Sequence, residues 1–265
     1  MEQDRKVALI TGSAKGLGKK TALSLAEIGF RVIVNYVNSE KEALELCAAI
    51  RSSGGEAMAI RADVTDRSQL ESMYREAERC YGGVDVLVNN AGPFIRERRR
   101  FADYSPEEID YLIHGNLLGV MHLDYLVLPH MRHSRWGRII HFGFGHAAEA
   151  RGWPHRAVYS AAKVGLVSFT KTLAEEEAEF GITVNMICPG DIKGANKEKS
   201  ISEVDGLTDP ETPRGRPGTG EDISRAIAFI CDPRSDFITG NIMEVSGGFD
   251  PIRPLSLANE KPRRA

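Results

Sequence analysis

The chain has 265 residues, 42% hydrophobic and 27% charged, which suits a soluble globular protein of one or two domains. Its net charge of -3 gives no global basic field to attract nucleic acid, and no apolar run approaches the roughly 20 residues that span a bilayer. Cys47, Cys80, Cys188 and Cys231 match no disulfide or zinc pattern, there is no HExxH for a metal, and the opening MEQDRKVALITG has no signal-peptide h-region, so a reducing cytoplasm is expected.

In chain order, KVALITG (6–12), RVIVNY (31–36), EAMAIRAD (56–63), VDVLVNNAG (84–92), GRIIHFG (137–143), GITVNMICPG (181–190) and NIMEVSGG (241–248) read as strands. They are short and rich in Val and Ile, and they close on Gly, Asn or Asp, as buried parallel strands do. Between them, 16–29, 39–53, 66–80, 106–132, 155–180 and 221–231 carry helical spacing. Thr65 or Asp66 and Ser105-Pro106 are suited to helix starts. Repeated βα units of this kind predict an α/β fold, a parallel sheet wrapped by helices on both faces, with ligands at the carboxyl ends of the strands.

The first strand runs into TGSAKGLG (11–18), with Gly12, Gly16 and Gly18 at the turn. Such a turn lets backbone approach a pyrophosphate, and the next helix offers free N–H groups to the anion. The spacing is not G-x-G-x-x-G, since counting from Gly16 places Thr21 at the third glycine; a plain Gly-rich turn is the alternative. An NAD site usually has an acid about 20 residues further on. Here Asn35 and Tyr36 stand in its place, and Lys15 lies within reach, so NADP(H) is expected over NAD(H). In the competing reading, Lys15 is a solvated charge and Glu40 serves the ribose. Asp63 and Val64 close the third strand where adenine would lie, although Asp63 equally suits a helix cap. Asn90, Ala91 and Gly92 end the fourth strand as a small-residue turn.

Tyr159 and Lys163 stand four apart on one face of a predicted helix. An ammonium beside the phenol is expected to lower the tyrosine pKa toward working pH, making it a proton donor or acceptor for a carbonyl–alcohol pair. Taken alone, the pair could be an ordinary Tyr and Lys on a half-exposed helix.

TGSAKGLG, NNAG, Asn116 in NLLG, YSAAK, the PG at 189–190 and the GG at 247–248 follow one another in order. This succession resembles the short-chain dehydrogenase/reductase family from about residue 6 to 250, most closely its 3-oxoacyl-(acyl-carrier-protein) reductase type. The resemblance implies a single Rossmann-type, doubly wound domain over 1–265, with a seven-stranded parallel sheet in the order 3-2-1-4-5-6-7. It implies Tyr159 as general acid/base, Lys163 on the nicotinamide ribose and tuning the tyrosine, and Asn116 interrupting its helix to hold a relay water. Gly12, Lys15, Gly16, Leu17 and Gly18 would hold the pyrophosphate end, Asp63 and Val64 the adenine, and Asn90 the nicotinamide-side ribose. Pro189, Gly190 and Ile192 would line the nicotinamide pocket. The implied chemistry is hydride transfer between the nicotinamide and a carbonyl carbon, and the implied assembly is a homotetramer built on the 106–132 and 155–180 helices and the last strand.

One position departs from the family. Alignment on GRII puts Phe144 where the family has an oxygen-holding serine, whereas counting thirteen back from Tyr159 reaches His146. His146 is therefore a candidate replacement donor, or else a loop histidine without a role. An NADP(H)-dependent reductase of a 3-oxoacyl, carrier-bound or small carbonyl substrate is the first reading, and a cofactor-binding sensor or assembly partner with little turnover is the second. RERRR (96–100) could receive an acidic carrier protein or be solvated surface. Residues 191–220, polar with several Gly and Pro, suit a substrate lid or a disordered loop, and 249–265 form a tail that lies across a neighbouring subunit or frays.

Overall fold

The computed structural model describes residues 5–252. Seven strands form one sheet: β1 (Val7–Ile10), β2 (Arg31–Tyr36), β3 (Ala57–Arg61), β4 (Val86–Asn89), β5 (Gly137–Phe142), β6 (Ile182–Pro189) and β7 (Ile242–Val245). Every neighbouring pair is parallel, and the order is β3-β2-β1-β4-β5-β6-β7. The helices are α1 (Gly16–Glu27), α2 (Glu40–Ser52), α3 (Arg67–Tyr81), α4 (Pro106–Ile113), α5 (Gly119–Ser134), α6 (Ala157–Glu177) and α7 (Gly220–Cys231).

The strand period of two sorts the core into two layers. From β1, Ala8 and Ile10 pack with Leu25 of α1, Leu46 and Ile50 of α2, and Ile223 and Ile227 of α7. Val7 and Leu9 face the other way, toward Leu70 and Met73 of α3, Leu123 and Val127 of α5, and Leu173 of α6. Each such Leu or Ile contributes about 1.5–3 kcal/mol on burial. β1 lies between β2 and β4, so the chain reverses its direction of travel across the sheet there, and that switch opens a crevice at the carboxyl ends.

The observed strands stop short of the expected ones, most clearly at β4 and β7. The small residues after them, NAG (90–92) and SGG (246–248), leave the ladder to form loops above the sheet. Asp66, not Thr65, caps α3, its carboxylate accepting from the Ser68 and Gln69 amides. Ser105 and Glu108 form a reciprocal cap on α4, with Pro106 in its first turn. The helix expected over 106–132 is broken by a π-helical turn at His114–Leu118 that contains Asn116. Residues 191–220 are not a structureless loop: they contain short 3-10 turns at Gly194–Lys197 and Ser202–Val204, and Val204 is fully buried.

Candidate active site

At the crevice, the glycine turn is held from beneath by β2 and β4. The Gly12 amide donates to Asn35 Oδ1 (2.9 Å), and Asn35 Nδ2 donates to the Ala62 carbonyl (2.9 Å). Asn90 Nδ2 donates to the Thr11 carbonyl (2.8 Å), while the Ala91 amide donates to Thr11 Oγ1 (2.9 Å). At Gly18 a Cβ would stand 2.7 Å from the Gly12 carbonyl oxygen, so only glycine lets α1 begin this close to the turn.

A cavity of ≈ 690 Å³ opens above the turn. Lys15, Gly16, Leu17, Asn90 and Gly92 line one end of it, and Pro189, Gly190 and Ile192 form a wall. Asn116, Tyr159 and Lys163 complete it. Eleven of the expected site residues therefore meet in one space. Gly12, Gly18 and Ala91 frame it without lining it.

Four expected contacts at the far end of the crevice do not line this cavity. Asn35 is 1% exposed, and its amide is spent bracing the glycine turn, so it is a strut and not a cofactor ligand. Tyr36 pairs its hydroxyl with Glu40 (3.2 Å). Asp63 Oδ1 accepts from the Thr65 amide (2.9 Å) and hydroxyl (2.8 Å), bracing the turn before α3 and not capping the helix, whose cap is Asp66. Val64 is buried, and its carbonyl packs where a Cβ on Gly119 would be. Lys15 lines the cavity but pairs with Glu42 across 2.6 Å.

Asn116 is fully buried; its Nδ2 donates to the Pro93 carbonyl (2.8 Å) and the Leu112 carbonyl (3.0 Å). Its Oδ1 is buried without a hydrogen-bond partner and points at Gly92, where a Cβ would lie 2.4 Å away. The π-turn gives this helix the interruption expected at Asn116, a form common at functional sites.

Tyr159 and Lys163 share one face of α6, with Lys163 Nζ 5.9 Å from the phenol ring centroid. The expected lowering of the tyrosine pKa is not what the site produces. Burial, followed by the neighbouring Cys188, pushes Tyr159 up to about 12, and burial pulls Lys163 down to about 8. Rings of Phe94, Phe144 and Trp153 stand 5.0, 6.1 and 6.2 Å from the Tyr159 ring, and this apolar wall withholds the water a phenolate needs. Beneath the pair, the buried Cys188 thiol is itself raised to about 12, chiefly by burial, so it stays neutral. Tyr159 is thus a phenol at neutral pH, in the form that donates a proton.

His146 is not brought to this cavity. Its backbone is left-handed (φ 65), its amide donates to Glu244 Oε1 (2.9 Å), and its Nδ1 faces Glu149 Oε1 at 2.6 Å. Phe144 takes the place beside Tyr159, 5% exposed, so no hydroxyl or imidazole stands there. Sequence reasoning missed several lining residues: Arg98 and Arg156, Lys197 on the 191–220 segment, and Phe249 and Pro251 at the start of the tail. The rest of the tail, 253–265, lies outside the described residues.

The family model for short chain dehydrogenases matches residues 6–205. The chain is 48% identical over 246 residues to the provisionally named oxidoreductase YtkK of Bacillus subtilis, covering 92% of this chain and 96% of that one. It is 35% identical over 243 residues to the 3-oxoacyl-(acyl-carrier-protein) reductase FabG of Staphylococcus aureus, covering 92% and 97%. A solved structure from Bacillus thuringiensis, provisionally named a 3-oxoacyl-reductase, superposes with a TM-score of 0.87 at 45% identity, covering 94% of this chain and 99% of that one. With a seven-stranded Rossmann-type sheet and a Tyr–Lys pair, Lys163 buried and Tyr159 partly so, in the cavity above the glycine turn, the chain belongs to the short-chain dehydrogenase family of oxidoreductases.

Proposed function

We propose that the protein is an NADP(H)-dependent reductase that converts a carbonyl to an alcohol, with 3-oxoacyl thioesters as the first substrates to test. One observation carries this reading: Asn116, Tyr159 and Lys163 meet the glycine turn in a single cavity. The residues fit a nicotinamide dinucleotide, because the glycine turn and the first residues of α1 line one end of the cavity, and the buried Asn116 Oδ1 still lacks a partner. Lys15, Gly16 and Leu17 would hold its pyrophosphate end, Asn90 and Lys163 the nicotinamide-side ribose, and Pro189, Gly190 and Ile192 the ring. When bound, such a cofactor supplies the hydride. Tyr159, neutral at working pH, gives its proton to the carbonyl oxygen, and Lys163 compensates the phenolate left behind. Phe94, Phe144 and Trp153 keep water from the reacting atoms.

The preference for NADP(H) rests on the end of β2, where Tyr36 replaces a ribose-binding acid and Lys15 lies on the glycine turn. The Lys15–Glu42 pair is exposed, where such ion pairs contribute little, so a doubly charged 2′-phosphate can take the ammonium over. The names of the Staphylococcus and Bacillus thuringiensis relatives favour a 3-oxoacyl substrate. A reducing cytoplasm suits four free cysteines. The second reading, a cofactor-binding protein with little turnover, draws on Phe144, which offers the substrate oxygen no donor.

A panel of carbonyl substrates, including 3-oxoacyl thioesters, run with NADPH and with NADH decides between them. NADPH oxidation dependent on a carbonyl is expected. NADPH binding without turnover of any carbonyl would favour the second reading.

A further inference from the structure

The cavity is lined by five basic side chains, Lys15, Arg98, Arg156, Lys163 and Lys197, and one acid, Asp191. Asp191 already faces Lys193 at 3.7 Å. Three of the bases stand where the cofactor would lie: Lys163 beside Tyr159, Lys15 on the glycine turn, and Lys197 against Gly16. Arg98 and Arg156 line the same cavity as Phe94, Phe144 and Trp153, Arg98 on the loop that carries Phe94 and Arg156 over the Phe94 ring.

Arg156 is already committed. It is 7% exposed, with Nη1 donating to the Glu97 carbonyl (2.5 Å), Nη2 donating to the Arg96 carbonyl (2.7 Å), and its guanidinium 4.8 Å from the Phe94 ring centroid. It therefore latches the 94–98 loop onto the start of α6. Arg99 is committed elsewhere, 3.2 Å from Glu97, 3.0 Å from Glu108 and over the Tyr104 ring. The latch leaves Arg98 at the cavity, exposed and with no hydrogen bond or ion pair to another described residue. An arginine that lines an aromatic-walled cavity and has no partner among the described residues is a recognition element for an anion.

We infer that Arg98 binds an anionic group on the substrate, so that the preferred carbonyl compounds carry a carboxylate or a phosphate in addition to the carbonyl. This rests on the reductase reading for the reacting end, but the binding claim stands on the loop geometry alone. It turns the RERRR stretch from a general basic surface into a single specificity residue, Arg98, held in place by Arg156.

The test pairs oxo carboxylates with their methyl esters, and a 3-oxoacyl-coenzyme A with its uncharged N-acetylcysteamine thioester, in the wild type, Arg98→Gln and Arg98→Lys. Turnover with NADPH and quenching of tryptophan fluorescence (Trp153 lines the same cavity) are both read. The charged member of a pair is expected to be favoured by about 10- to 100-fold, mainly through KM, as one charge-assisted pair would give. Arg98→Gln should erase that ratio and Arg98→Lys restore part of it. A preference confined to oxo acids assigns a substrate carboxylate; one confined to the coenzyme A pair assigns a carrier-arm phosphate. Equal handling of charged and neutral members, or an unchanged ratio in Arg98→Gln, would overturn the inference while leaving the reductase reading intact. Absence of all turnover would instead fail that reading, and the fluorescence titration would still decide the role of Arg98.

Discussion

Tyr159 and Phe144 set the chemistry at the residue scale. The Tyr159 phenol, raised to about 12, enters reduction already protonated, whereas the reverse reaction must first remove that proton. Lys163, lowered to about 8, loses its charge as pH rises through that value. Carbonyl reduction is therefore expected to be flat across neutral pH and to fall above about pH 8, while alcohol oxidation climbs with pH. Initial rates in both directions from pH 6 to 10 check this, and a reduction rate that rises above pH 8 would refute it. Phe144 offers the carbonyl oxygen nothing, and a single such donor is typically worth about 10²–10³ in rate. Phe144→Ser should accordingly raise kcat by at least about 10-fold on small substrates. The change also opens space beside Trp153, 4.8 Å away between ring centroids, so thermal stability should be measured alongside.

Contacts between elements hold the cofactor turn in its present state. Glu198, on the 191–220 segment, accepts from the Gly16 amide (2.8 Å) and from Lys19 Nζ (2.7 Å). Its carboxyl, resisted by burial, is nonetheless held below the usual range by that amide and that ammonium. A carboxylate on the first amide of α1 uses the same donors that suit a phosphate. Glu198→Gln is expected to tighten NADPH binding several-fold by titration, and a weakened Kd would mean that Glu198 supports the cofactor instead. The strands, the glycine turn and the Tyr–Lys pair were legible in the sequence because each is local: a strand period, a turn, one helix face; the strand order and Asn116 came only with the family resemblance. Glu198 on Gly16, Arg156 on the 96–97 carbonyls, and Phe249 and Pro251 at the cavity were not, since each contact closes over a long stretch of chain. The His146 candidate failed for a related reason. Left-handed residues at His146, Ala150 and His155 turn this loop so that His146 meets Glu244 and Glu149, and a count along the sequence does not measure distance from Tyr159.

At the scale of the whole molecule, apolar surface remains on the elements where a tetramer is expected. Tyr111 (50% exposed) and Tyr125 (74%) lie on α4 and α5, and Phe237 (100%) lies on the approach to the edge strand β7. Light scattering coupled to size exclusion should report a tetramer for the wild type and a smaller species for Tyr125→Glu; a monomeric wild type would contradict this. The proposal that the Tyr159 phenol gives a carbonyl its proton is tested most directly by single-turnover oxidation of bound NADPH in the wild type and in Tyr159→Phe. With NADPH binding retained in both, the expected result is a loss of at least about 10³-fold in carbonyl-dependent oxidation for the variant. Equal single-turnover rates in the two proteins would contradict it.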